Sequence, residues 1–151
     1  MTGGARGVLL KEVRLRNEPE SAAIARREVS LSARAWGVPA GIVENAELCT
    51  SETVTNAVVH VPDLPGRTLR LIIVRLDDRY RVEVHDSGRE LPRLRQAGAD
   101  DESGRGYLLV TTLSDAHGAY PRPTGKAVWF EFVAWRGDRA EGPLRSGGRR
   151  P

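Results

Sequence analysis

Glu52 and Asn56 stand four residues apart in the run Ser51-Glu52-Thr53-Val54-Thr55-Asn56-Ala57-Val58-Val59-His60. On a helix this spacing stacks an acid and an amide on one stripe, with His60 a further turn along. Beside an apolar face such a pair can serve a metal-bound phosphate, or it can simply face water. The spacing alone leaves both readings open.

Two glycine-bearing elements lie downstream. In Gly104-Arg105-Gly106 the glycines let backbone approach a ligand, and the apolar helix expected next, over 107–113, offers free N–H groups to an anion. Arg105 adds a charge-assisted contact to a phosphate. Glycines before a helix are also ordinary turn formers. Asp86-x-Gly88 follows an expected strand: a carboxylate there can accept from the amino group of a base while Gly88 leaves room for its ring, or the pair is a turn.

Other chemistries are excluded by spacing. Six residues separate Gly118 from Gly125 where a phosphate-binding P-loop needs four, and Ala127 replaces its Ser or Thr. His60, His85, His117 and Cys49 have no zinc spacing, and no G-x-S-x-G elbow exists. Cys49, the single cysteine, excludes an intrachain disulfide and reads as a helix-packing residue. His60 and His117 read as packing or loop residues.

The elements that must position these groups follow from periodicity. Residues 8–16 read as a strand, and Asn17-Glu18-Pro19-Glu20 opens a helix that stops at Gly37. A second helix runs from Ala40 to about Val61, where Pro62 ends it; Val43, Ala46, Thr50, Val54, Ala57, Val58 and Val61 form its buried face. Leu69–Leu76 and Tyr80–His85 read as a hairpin across Asp77-Asp78. Residues 90–103 are polar and read as a loop. A short strand over 114–120 and a closing strand over 126–135, with Val128, Phe130 and Phe132 on one side, complete the chain. The expected fold is α+β: a two-layer α/β sandwich whose mixed, mostly antiparallel sheet is covered on one face by helices.

Composition bounds the rest. The chain of 151 residues suits one domain, over 8–135, followed by an Arg/Gly-rich tail over 136–151 with the composition of disorder. The net charge of +3 resides in that tail, where five Arg stand against Asp138 and Glu141, so the body is neutral and direct nucleic-acid binding is not expected. No apolar run reaches the length of a membrane span and no signal peptide is apparent, so a cytoplasmic protein is expected.

Taken in order, Glu52-x-x-x-Asn56, Asp86-x-Gly88, Gly104-x-Gly106 and Gly125 before the last strand resemble the nucleotide-binding boxes of the histidine-kinase-like ATPase superfamily. Within it, the SETVTNAVVH stretch and the short length resemble the bacterial anti-sigma factor serine/threonine kinases. The resemblance spans Glu12 to Trp135. It implies an ATP- and Mg²⁺-dependent phosphotransferase that acts on a Ser or Thr of an anti-sigma-factor antagonist, sequesters a sigma factor, regulates transcription and commonly forms a homodimer. By resemblance, Asn56 ligates Mg²⁺, Glu52 is the general base, and Asp86 with Gly88 holds adenine. Gly104, Arg105 and Gly106 hold the phosphates, Gly125 belongs to the last box, and Arg89–Ser103 is a lid. Two positions depart from the family pattern: Glu90 stands for a second glycine, and Lys126-Ala127 follow Gly125 where a Thr is usual. These departures leave a second reading, a non-catalytic ATP-binding or partner-binding module of the same fold.

Overall fold

The computed structural model describes residues 7–60, 67–88 and 102–135, with His60 and residues 102–106 described by backbone alone. The order is β1 (Gly7–Arg16), α1 (Ser21–Ala35), α2 (Ala40–His60), β2 (Thr68–Leu76), β3 (Arg79–Asp86), α3 (Glu102–Leu113), β4 (Ala116–Arg122) and β5 (Gly125–Val133). The strands form one sheet in the order β1-β2-β3-β5-β4. All four pairings are antiparallel, so this sheet holds no parallel pair. With three helices packed on it, the α+β architecture is the expected one.

Alternation decides which face meets the helices. Leu69, Leu71 and Ile73 of β2, Tyr80, Val82 and Val84 of β3, and Val128, Phe130 and Phe132 of β5 are all buried. Register aligns them in rows such as Ile73, Val82 and Phe130 across three strands. Tyr80 reaches the helix layer directly, its hydroxyl donating to Val29 O of α1 at 3.1 Å.

The helices begin and end for local reasons. Pro19 and Glu20 form a turn rather than the first helical residues, and α1 starts at Ser21, whose hydroxyl donates to Arg16 O at 2.6 Å. Ser21, Ala25, Val29 and Ala33 recur every four residues and are buried. Their small side chains allow α2 close in, while Ile24 and Leu31 stay exposed. Gly37, at φ 74°, ends α1 in a Schellman arrangement, with Val38 N–H on Ala33 O and Gly37 N–H on Arg34 O. Helix α2 buries Val43, Ala46, Thr50, Val54 and Ala57 as its pattern predicts, and also Cys49 and Thr53. The Thr50 and Thr53 hydroxyls are satisfied by the carbonyls of Ala46 and Cys49, each at 2.7 Å. Val61 lies outside the described residues.

Chain direction then places the chemistry. Helix α1 starts beside Arg16, next to the Thr68 end of β2, and ends at Trp36, whose carbonyl accepts from Trp135 Nε1 at 2.9 Å, past the end of β5. Helix α2 packs against α1 and runs back, so its second half, with Glu52 and Asn56, returns toward the sheet end where β3 finishes and β5 begins.

Candidate functional site

β3 and β5 are not consecutive in sequence, yet they are neighbours in the sheet, and their register sets Asp86 opposite Lys126. Both residues lie on the row parity that faces the helices, and both are buried, Asp86 at 5% and Lys126 at 8% exposure. Asp86 Oδ1 accepts from Gly88 N–H at 2.7 Å, which closes a turn at the strand end. Asp86 Oδ2 lies 3.8 Å from Lys126 Nζ. Burial raises the Asp86 pKa above the ordinary carboxylate value, and the Lys126 charge, the Gly88 N–H and His85 offset part of that rise.

Gly125 makes this corner possible. A Cβ there would stand 1.9 Å from Asp86 O and 2.7 Å from Ser87 Cα, and its φ of 154° also favours glycine. The turn is braced from the β2 side by Arg67, whose guanidinium donates to Ser87 Oγ at 2.6 Å.

Glu52 and Asn56 sit on α2 at the boundary between buried and open surface, each half-buried. Thr53 and Ala57 beside them are core, whereas Leu48, one turn before Glu52, and Val59 are exposed. The Cys49 thiol is buried among these residues and pushed up to about 12, by burial and then by the Glu52 charge. It stays a protonated packing group, as the sequence suggested.

The expected phosphate loop takes a different form. Helix α3 starts at Glu102, so Gly104, Arg105 and Gly106 lie in its first turns rather than ahead of it. An acid in the first turn suits the positive helix end, and a glycine costs a helix only about 1 kcal/mol, so the helix extends backward through both glycines. The expected lid, Arg89–Ser103, falls outside the described residues up to residue 101, Glu90 with it; Glu102 and Ser103 are helical. The tail over 136–151 also lies outside them.

The structure thus brings Asp86, Gly88 and Gly125 into one corner, on a sheet whose β3 and β5 pack against the helix that carries Glu52 and Asn56. Lys126 belongs to that corner; the sequence marks it only as a departure after Gly125, not as a site residue. The signal was present: Lys126 shares parity with Val128, Phe130 and Phe132, so a core-facing strand places a charge inward. Among the described residues no three His, Cys, Asp or Glu side chains cluster as a metal site. Asn56, half-buried on α2, carries an amide oxygen, the kind of ligand taken by a hard cation that keeps most of its water and binds phosphate oxygens. No described helix is long and apolar enough to cross a membrane.

The family model for the histidine kinase-like ATPase domain matches residues 15–132, well over half of the chain. No curated protein matches significantly.

Proposed function

From the membership of this chain in the histidine kinase-like ATPase domain family, whose domains bind ATP, we propose that it is an anti-sigma regulatory factor with serine/threonine kinase activity. The observation that carries the reading is the convergence of a buried, helix-facing carboxylate, Asp86, with the sheet end toward which α2 brings Glu52 and Asn56. Asp86, with Gly88 beside it, accepts a hydrogen bond from the adenine amino group. Gly104, Arg105 and Gly106 lie along the phosphates, where the first turn of α3, up to Gly104, offers N–H groups that have no acceptor within the helix. Asn56 supplies an oxygen to Mg²⁺, which when bound neutralises charge on the phosphate oxygens.

In the transfer, Glu52 takes the proton of a serine or threonine hydroxyl. The hydroxyl oxygen bonds to the γ-phosphorus, the bond from phosphorus to the β–γ bridging oxygen breaks, and ADP leaves with that electron pair. The acceptor is a small anti-sigma-factor antagonist, and the second partner is a sigma factor, held or released according to phosphorylation. Such a factor acts in the cytoplasm, as a domain over 8–135, alone or as a homodimer.

Glu52→Gln removes the base and keeps the shape. Incubation with labelled ATP and candidate antagonists should show transfer lost by at least a hundredfold, on the scale of general-base catalysis, with ATP binding intact. Transfer at a comparable rate would remove Glu52 from its role. Asn56→Ala should abolish the Mg²⁺-dependent part of ATP affinity in calorimetry. The Asp86–Lys126 pair favours one other reading, an ATP-binding module without transfer; wild-type protein that binds ATP and phosphorylates no antagonist would support it.

A further inference from the structure

A charged pair buried at the edge of a core is costly, because both ions leave water and only close pairing and further hydrogen bonds repay that. Lys126 and Asp86 form such a pair, with Nζ 3.8 Å from Oδ2 and both residues less than a tenth exposed. The chain fixes them from three sides. The register of β3 and β5 sets them opposite one another, the Gly88 N–H holds Oδ1, and the missing Cβ of Gly125 brings the two strand ends together. The cation stands beside the one carboxylate that the ATP-binding reading assigns to the base.

A carboxylate can only accept hydrogen bonds, and an ammonium can only donate them. Asp86 alone therefore matches a 6-amino purine and opposes a 6-oxo purine, whose O6 would meet a carboxylate oxygen. With Lys126 at its side the corner presents an acceptor and a donor together. A 6-amino purine gives its amino N–H to Asp86 and needs no donor from Lys126. A 6-oxo purine gives its N1–H to Asp86 and its O6 to Lys126. An ammonium carries three N–H donors, so contact with Asp86 and contact with a base are compatible. We infer that Lys126 is a specificity-determining residue that, paired with Asp86, opens the base end of the site to 6-oxo as well as 6-amino purine nucleoside triphosphates. This rests on the nucleotide-binding reading above and adds to it the class of base accepted.

The test is titration calorimetry of ATP, GTP and inosine triphosphate, each with Mg²⁺, on the wild-type chain and on Lys126→Met, which keeps the apolar stem and removes the donor. The wild type should bind GTP and inosine triphosphate within about tenfold of ATP, and Lys126→Met should weaken both at least tenfold more than ATP, the scale of one lost charge-assisted hydrogen bond. An unchanged ratio between the nucleotides in Lys126→Met overturns the inference while leaving ATP binding standing. If Lys126→Met does not fold, the wild type decides alone: preference for ATP beyond a hundredfold over both 6-oxo nucleotides overturns it. A wild type that binds none of the three removes the nucleotide reading itself and this inference with it.

Discussion

At the hairpin end of the sheet, buried polar groups are covered by aromatic rings; at the opposite end, they are buried as a charge pair among glycines. The first end contains Tyr80, its hydroxyl on Val29 O, with Trp135 edge-on to its ring at 6.2 Å and the Trp135 indole N–H on Trp36 O. The Arg75 guanidinium stacks 4.0 Å over Trp135, and its Nε donates to Asp77 O. Aromatic area covers the end, and the polar tips find backbone partners. The other end contains Asp86, Gly88, Gly125 and Lys126, where small residues and a charge pair take the place of rings. Bulk seals the first end, and glycine leaves backbone space at the second, the end proposed to take the nucleotide.

That contrast is breakable. Tyr80→Ala should have the largest effect on stability, about 4 kcal/mol in urea unfolding, the usual cost of truncating a buried aromatic ring. It should leave ATP affinity unchanged; a parallel loss of ATP binding would mean the two ends are not independent. Gly125→Ala comes next, at about 3 kcal/mol, because the new methyl meets backbone that cannot rotate away. Here ATP affinity should fall at least tenfold in calorimetry, and a variant that unfolds more easily yet binds ATP normally would move the base site elsewhere.

The smallest effect lies on the face of the sheet away from the helices. There Glu83 accepts from Tyr120 Oη at 2.6 Å and from Arg81 Nε at 2.6 Å, and lies 2.8 Å from His85 Nε2. Arg81 also donates to Glu131 at 2.8 Å and stacks 4.0 Å over Trp129. Trp129 lies against Gly118, where a Cβ would come within 2.7 Å of the ring. Burial pushes the Glu83 carboxyl up, but the bonds from His85 and Tyr120 and the Arg81 charge outweigh it and hold the pKa at about 2. A depressed carboxyl pKa stabilises the fold above the unfolded value and ceases to do so as pH falls toward the folded one. Glu83→Gln should therefore cost about 1–2 kcal/mol at pH 7, after allowance for solvent at a sheet surface, and nearly nothing at pH 2. Thermal melts across that range check it; a pH-independent cost would assign the loss to packing.

Much of the fold was legible because it rests on local signals. Alternation over 69–76 and 80–85, the Gly37 cap and the buried stripe of α2 each depend on neighbours within a turn or a strand. Two boundaries moved by a few residues for local reasons too: Pro19 sits in a turn, and α3 accommodates Gly104 and Gly106 in its first turns. The exposure of Ile24 and Leu31 was not legible, since a helix that is apolar on more than one side does not announce which side meets its partner. Among the candidate residues, spacing put Glu52 and Asn56 on one helix stripe and sequence position put Asp86, Gly88 and Gly125 at strand ends, but only the family resemblance gave them nucleotide-site roles. The inward parity of Lys126 was legible, but its partner was not, because Asp86 lies on a strand forty residues away.

By itself the sequence determined the five strands and three helices, the apolar face of each strand, and the α2 stripe that carries Glu52 and Asn56, since helix and strand periods are properties of the chain. The tertiary structure decided the sheet order that inserts β5 between β3 and β4, and with it the pairing of Asp86 with Lys126. Cross-strand register between distant segments is set by the packing of whole faces, and no local spacing encodes it.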